Sequence, residues 1–441
     1  MLVKRACAVA VFALVVGTLQ VATTAAPAEA AKRFTPKAGV TFNSPLGSSG
    51  TKRAIFKKIV KSIKATPRRQ EIHIMTWNLL SKEAVDALLR AQKRKVRVRL
   101  IMSRSNAEIE GVVNQSFKRL KKGLHRGNKG RKANRKSWAI LCTKSCRGKQ
   151  GAAHSKYYLF SRSGKARDVV IQGSANLTVA STTNQWNDVY TTTNRAAPYN
   201  FMLGIFHQMA KDKPVRRPSV RWTGKKDSLL FFPEGRGPDP VMRLLNKVKC
   251  RGAATPSGRT RLRIAPDVIR ESRGMRLGVK VRDLWRAGCD IRVGYTVVGV
   301  DVGRAMRAPG ARGRLPMRHL VQDRNDDGQF DNYFHMKTMT IVGHIGKKRS
   351  SYATFNGSAN WSSVSARSDE NMGITWRKGQ TLKIEKHINF WYASPAFTPD
   401  PDRQSSRFAR QATVDGRMVD GLLFGTGPIN GVDPYANVDM D

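Results

Sequence analysis

Two hydrophobic periods alternate along this chain, and their order repeats. Val96, Val98 and Leu100 alternate with Arg97 and Arg99, the period of two that turns one face of a strand toward a core. Just upstream, Ala84, Ala87, Leu88 and Ala91 recur at helical spacing. Extended over residues 39–103, the pattern predicts a strand at Gly39–Phe42, a helix at Lys52–Lys64 and a strand at Glu71–Trp77, then a helix at Ser81–Lys95 and a strand at Val96–Met102. Residues 229–298 repeat the order: a strand at Leu230–Phe232, a helix at Pro240–Lys249, a strand at Arg259–Ala265, a helix at Gly274–Ala287 and a strand at Asp290–Val298. Such alternation implies an α/β fold, with a mixed sheet flanked by helices in each half. A length of 441 residues suits two domains, placed at 31–218 and 227–395 and joined by the Pro- and Arg-rich stretch Lys213–Lys226.

The ends read differently. Residues 1–30 have a charged start (Lys4, Arg5), an apolar run from Ala6 to Val21 and a small-x-small site at Ala28-Glu29-Ala30, which predicts a secretory signal peptide and an extracellular protein. No other stretch approaches the length needed to cross a bilayer. Residues 396–441 are expected to form a flexible acidic tail, with a self-docking tail as the alternative, since from Ala412 onward there are five aspartates and one arginine. Of five cysteines, Cys7 leaves with the leader, and an even set remains in a compartment that permits disulfides. Pairing within each half, Cys142 with Cys146 and Cys250 with Cys289, is the simplest connectivity.

Charge narrows the partners. Eighty Lys and Arg against thirty-one Asp and Glu give a formal +49, a field that draws the protein to nucleic acid, anionic lipid surfaces or anionic wall polymers. The densest run, Lys118–Lys136, has no interleaved aromatics, which argues against a base-stacking platform there. It reads equally well as a solvated loop.

The chemistry lies in a repeated composite. His154-Ser155-Lys156 is followed by Gly173-Ser174-Ala175-Asn176, and 181 residues after His154, His335-Met336-Lys337 is followed by Gly357-Ser358-Ala359-Asn360. The spacing from His to Asn is 22 and 25 residues. Each copy brings an imidazole that can attack or donate a proton, a fixed cation, and short polar groups on a glycine turn that can hold phosphate oxygens. Two imidazoles suit phosphodiester cleavage, because attack by one requires a second group to protonate the departing oxygen. The segments are expected on strands, with His154 and Lys156 on one face. An acid lies 34 residues after His154 (Asp188) and 35 after His335 (Glu370), and a nucleophilic imidazole needs such a partner at its other nitrogen.

These residues make the chain resemble the phospholipase D superfamily, in particular secreted bacterial members, whose signature is H-x-K-x4-D followed by G-[GS]-x-N, twice. The sequence departs at the motif aspartate, which falls on Ser161 and Val342. The resemblance implies a duplicated fold, two sheets related by a pseudo-twofold axis that brings both motifs into one site. It implies His154 as nucleophile and His335 as general acid; the residues themselves allow the reverse. Lys156, Lys337, Asn176 and Asn360 are then expected to bind phosphate oxygens with Ser174 and Ser358 in support, and Asp188 and Glu370 to orient the imidazoles. No cofactor is required. Beside the second motif, Asp323, Asn325, Asp327 and Asp331 have the spacing of a calcium loop, a candidate structural site that lacks the usual twelfth-position glutamate.

The expected function is a secreted, monomeric phospholipase D, with a phospholipid membrane surface as substrate and non-specific affinity for nucleic acid and other polyanions. An extracellular nuclease is the alternative, and a non-catalytic binder of anionic polymers the third class.

Overall fold

In the computed structural model the described residues are 34–397, save 110, 234 and 236, together with 412–414, 417–419 and 432–438. The leader assigned to residues 1–30 and most of the tail lie outside them.

The first sheet is built from strands β1 (Gly39–Phe42), β2 (Glu71–Thr76), β3 (Arg97–Ser103), β4 (Trp138–Cys142), β5 (Tyr157–Ser163), β6 (Ala166–Gly173) and β7 (Asp188–Thr192), in the order β1-β7-β6-β5-β2-β3-β4. β2, β3 and β4 run parallel, and the other pairs are antiparallel. Helices α1 (Ala54–Lys64), α2 (Lys82–Lys93) and α3 (Gln115–Arg126) cover one face, and α4 (Ala196–Met209) packs on the other. α1 turns Ile55, Ile59 and Ile63 inward at helical spacing; truncating one such side chain to alanine costs about 2–5 kcal/mol. Ser81 caps α2 by accepting from the Ala84 amide at 3.2 Å, which fixes the start that the sequence pattern suggested. α3 was not foreseen. It overlaps the start of the basic run, capped by Asn114 and held by buried Phe117, Leu120 and Leu124, so the first part of the run is a cationic helix face rather than a loop.

The second sheet comprises β8 (Val220–Thr223), β9 (Asp227–Phe231), β10 (Arg261–Pro266), β11 (Asp290–Tyr295), β12 (Met317–His319), β13 (Lys337–Ile345), β14 (Lys348–Gly357) and β15 (Asn371–Thr375). Its order is β8-β9-β15-β14-β13-β10-β11-β12, with Val248–Lys249 added beside β13. Apart from β8, the order and the parallel or antiparallel sense of every pair match the first sheet. Helices α5 (Glu271–Arg286), α6 (Val300–Arg307) and α7 (Lys378–Ala393) flank it. The fold is therefore α/β, with mixed sheets and covering helices.

The described residues from Phe34 onward pack as one unit. Leu229 and Phe231 of β9 share a cluster with Tyr157 of β5, Val170 of β6 and Phe206 of α4, so the two sheets have a common interior. The join is not a free hinge: β8 forms within it, and buried Arg147 donates to the carbonyls of Pro218 (2.6 Å) and Phe232 (3.2 Å). Both expected disulfides are present, Cys142–Cys146 and Cys250–Cys289. Within the expected tail, residues 432–438 are docked rather than loose. Tyr435 and Val438 are buried with Val268, Phe330 and Tyr333, and the Phe330 amide donates to the Pro434 carbonyl at 2.8 Å. Among the described residues no helix is long and apolar enough to cross a membrane.

Candidate active site at the seam of the two sheets

Each histidine precedes its strand rather than lying within it. His154 enters β5 in extended backbone because its segment pairs with 369–371 of the other half: the His154 amide donates to the Asp369 carbonyl at 3.0 Å, and the Lys156 amide to Asn371 Oδ1 at 2.7 Å. His335 is placed in the mirror fashion. Gln185–Trp186 run parallel to Tyr333–Phe334, and the His335 amide donates to the Trp186 carbonyl at 3.0 Å. Sequence segments that look like two separate motifs are thus interlocked, each held by the half that lacks it.

The glycines make this possible. A Cβ on Gly173 would lie 2.1 Å from the Asp188 carbonyl oxygen, and one on Gly357 the same distance from that of Asn371. Only glycine admits so close a strand. It lets the Ser174 and Ser358 amides bond those carbonyls at 3.0 and 2.9 Å.

Behind the imidazoles the halves diverge. His154 Nδ1 bonds Glu370 Oε1 at 2.7 Å, and Glu370 Oε2 accepts from Ser358 Oγ. Burial raises the Glu370 pKa, but the charge and hydrogen bond of His154, with Lys156 and Ser358, outweigh it and hold the carboxyl below its ordinary value. The geometry thus fixes a proton on Nδ1 and leaves Nε2 as the reactive nitrogen. Nε2 meets Lys156 Nζ, and Lys156 Nζ also donates to the His154 carbonyl at 2.9 Å. The Trp77 ring stands edge-on to the imidazole, 5.3 Å between centroids.

His335 Nδ1 instead bonds the amide oxygen Asn187 Oδ1 at 2.8 Å, and Ser174 Oγ donates to that same oxygen at 2.8 Å. Asp188, expected to orient an imidazole, does not touch one. Its oxygens accept from Thr338 Oγ1 (3.0 Å) and Asn356 Nδ2 (2.9 Å), and burial, opposed by those bonds and by Lys337, pushes its pKa up to about 6. The strand register explains the displacement. Asp188 faces Ser174 as Asn371 faces Ser358, so Asn187 is the counterpart of Glu370. Counting from the histidines, 34 and 35 residues looked closer than the true 33 and 35, because unequal hairpin and loop lengths largely cancel.

A carboxylate that sequence reasoning missed enters the second half-site. Asp267 Oδ2 accepts from Lys337 Nζ at 2.8 Å and lies 3.9 Å from His335 Nε2. By register it is the counterpart of Trp77: Met75 pairs with Tyr157 and Ala265 with Thr338, each three residues past its histidine. No spacing rule links Asp267 to the motif; only the pairing of β10 with β13 does.

The remaining expected residues fall as follows. Asn176 lies within 3.4 Å of Thr76 Oγ1, and Asn360 Oδ1 accepts from the Val268 amide at 3.2 Å; both side chains are buried beside their half-sites. The Ser174 and Ser358 hydroxyls are committed to Asn187 and Glu370 instead of facing the cleft side of the histidines. Ser161 and Val342, at the motif-aspartate positions, lie within β5 and β13, where Ser161 Oγ bonds Gln70 Oε1 at 2.8 Å and Val342 is core. His154 and His335 are 1% and 0% exposed, so a bulky diester reaches them only after covering side chains shift.

In the aspartate loop the three candidate carboxylates each accept from a main-chain amide. Asp323 Oδ2 accepts from the Gly328 amide (2.9 Å), Asp327 Oδ1 from Gln329 (2.8 Å) and Asp331 Oδ2 from Arg324 (2.7 Å), while Asn325 Nδ2 donates to Asp327 (2.9 Å). The oxygens serve the loop's own amides. Among the described residues no group of three or more His, Cys, Asp or Glu side chains converges as metal ligands.

Residues 59–208 match the family model described as cardiolipin synthase, PLD-like domain, a span that includes His154, Lys156 and Asn176. No curated protein sequence matches the chain significantly. Among solved structures, the polyphosphate kinase of Porphyromonas gingivalis is similar over 83% of this chain and 53% of its own (TM-score 0.54, 11% identity). This chain therefore spans about half of that relative's length. The phosphatidylserine synthase of Haemophilus influenzae is similar over 80% of this chain and 86% of its own (TM-score 0.51, 14% identity). Nuc of Salmonella typhimurium, a phospholipase D family member, covers 40% of this chain and 96% of its own, with a TM-score of 0.29 and 18% identity.

Proposed function

The chain belongs to the phospholipase D superfamily, and from that premise we propose that it is an exported phosphodiesterase that hydrolyses glycerophospholipids to phosphatidic acid and a head-group alcohol. His154 Nε2 attacks phosphorus, while His335 gives its proton to the departing alcohol oxygen. The product is a phosphohistidine on His154. Water, deprotonated by His335, then attacks phosphorus and releases His154 Nε2. Glu370 keeps the proton on His154 Nδ1 throughout and offsets the positive charge that builds on the ring. Lys156 and Lys337, with Asn176 and Asn360, hold the non-bridging oxygens. The leader sequence and two disulfides support export.

One observation favours lipid over nucleic acid as substrate: the rim of the first half-site is apolar and exposed. Leu80 (37% exposed) pairs with Thr178, and Val179 (60%) follows it; both adjoin the Trp77 and Asn176 segments of the site. The hairpin bearing Val112 (67%) and Val113 (43%) is tied back to the same place by Asn106, which donates to the Trp77 carbonyl at 3.2 Å, and by Asn114, which donates to Asn78 at 3.3 Å. An apolar rim on so cationic a protein suits insertion among the head groups of an anionic bilayer.

The test incubates the protein with anionic mixed-phospholipid vesicles and, in parallel, with plasmid DNA, using His154→Ala as control. Histidine-dependent phosphatidic acid is expected. Val112→Asp/Val113→Asp should lower turnover on vesicles roughly tenfold while sparing a monomeric short-chain phospholipid, since each lost apolar side chain weakens interfacial binding. Histidine-dependent DNA nicking without phosphatidic acid overturns the lipid reading.

A further inference from the structure

At the far end of the β13–β14 hairpin lies a groove of about 990 Å³. Residues distant in sequence line it: Arg221 and Lys226 from the join, Arg243 and Lys247 from the segment before β10, and Lys347 and Lys348 from the hairpin turn. Among the described residues no carboxylate lines it, and none of these six cations has an ion-pair partner. Arg221 and Arg243 are close enough that burial and their mutual repulsion lower the Arg221 pKa. Like charges gathered without a counter-ion are unfavourable unless an anion joins them.

Two aromatic rings share the groove. Trp376 is 38% exposed, and its amide is anchored to the Lys226 carbonyl at 2.9 Å. Tyr352 lies in the same wall, with Lys378 Nζ over its ring at 5.4 Å. The Lys118–Lys136 run has more charge and no such rings. Cations that follow a backbone, beside an exposed indole on which a base can stack, are the parts of a single-strand nucleic-acid site.

We propose that this groove binds single-stranded nucleic acid, with phosphates along the six cations and a base on Trp376. It is separate from the histidine site. Lys337 and Ile345 are the two ends of β13, eight residue steps and so roughly 26 Å apart, and Ile345 belongs to the groove while Lys337 belongs to the half-site. Binding here needs no contact with the histidines, and a base-free polymer of equal charge lacks the stacking contribution.

The experiment compares binding of labelled decathymidylate with an abasic deoxyribose-phosphate decamer by fluorescence anisotropy. It is run at about 0.15 M salt, where the Debye length of about 8 Å suppresses the contribution of the protein's distant charges. Decathymidylate should bind roughly tenfold more tightly, and Trp376→Ala should erase that margin while Trp376→Phe keeps part of it. Arg221→Ser/Arg243→Ser should weaken both oligomers, and the matched Lys121→Ser/Lys122→Ser pair on α3 should change them less than about twofold. Equal binding of the two oligomers, or equal losses in the two double variants, would leave only the overall charge and overturn the site. The assay requires no turnover, so its failure leaves the histidine reading standing, and the reverse also holds.

Discussion

In the first half-site His154 rests on a buried carboxylate, Glu370, and faces an aromatic ring; in the second His335 rests on an amide, Asn187, and faces a carboxylate, Asp267. The strands that carry them have the same order and sense. Seven strands of matching order and sense therefore present chemically different imidazoles. A carboxylate behind Nδ1 stabilises the imidazolium and raises the nucleophilicity of Nε2, whereas an amide oxygen fixes the tautomer without supplying charge. That contrast, more than the order of motifs along the chain, is what supports the proposed attack by His154 and proton transfer by His335.

The strongest way to break the comparison is to remove each ring. His154→Ala should lower diester turnover by about 10⁴-fold or more on every substrate, because no covalent intermediate can form. His335→Ala should match that loss with an alkyl leaving group and recover much of it with p-nitrophenol, which departs without a proton. Stopped-flow release of nitrophenol reads the difference; equal losses for both variants on both substrates would refute the division of roles.

Exchanging the supports comes next. Glu370→Gln should cost about 10³-fold in turnover with little change in KM, since the ring loses its counter-charge as it becomes cationic. Asn187→Ala should cost only about tenfold. Equal effects would mean that orientation, not charge, is what the supports provide.

The halves should also differ in how strongly they are cross-linked. Cys250–Cys289 closes a separation of 39 residues and Cys142–Cys146 one of 4. Chain-entropy reasoning then gives losses of about 4 and about 2 kcal/mol when each pair is replaced by alanine, and urea unfolding measures both. A larger loss for the short loop would count against that account.

The last expected effect is on pH dependence. Burial pushes the Asp369 pKa up to about 6 from its ordinary 3.8, against the pull of Arg147 and Ser145. The stability this carboxyl contributes is present below its unfolded pKa and is lost as pH rises through about 6. Relative to Asp369→Asn, the wild type should therefore lose about 2 kcal/mol between pH 4 and pH 6, out of about 3 kcal/mol over the whole titration. A flat difference across that window would show that the carboxyl titrates normally in the fold.

Much of the fold was legible because period-two and helical patterns respond to burial, and residues such as Val98, Leu100, Ala84 and Leu88 are buried on the faces the pattern assigned. The motif residues were legible because identity was repeated. What escaped notice was set by pairing between distant strands. Asn187 and Asp267 acquire their places only when the 185–188 segment meets His335 and β10 meets β13. Helix α3 escaped for a different reason: the charge of the basic run masks the stripe of Phe117, Leu120 and Leu124 that holds it down. The docked stretch 432–438 was likewise obscured by aspartates around Tyr435 and Val438.

The exchange of partners across the seam has a consequence for how the activity would come into being. A chain that has folded only its first half carries an imidazole whose acid, Glu370, has yet to arrive. Under the proposed chemistry such a chain is inert, and so is either piece of a molecule cut near residue 215. Activity then reports that both pieces have met, so the two fragments could serve as a split reporter in which turnover is silent until they are brought together. In the producing cell the same logic would keep the proposed activity silent until both halves have folded.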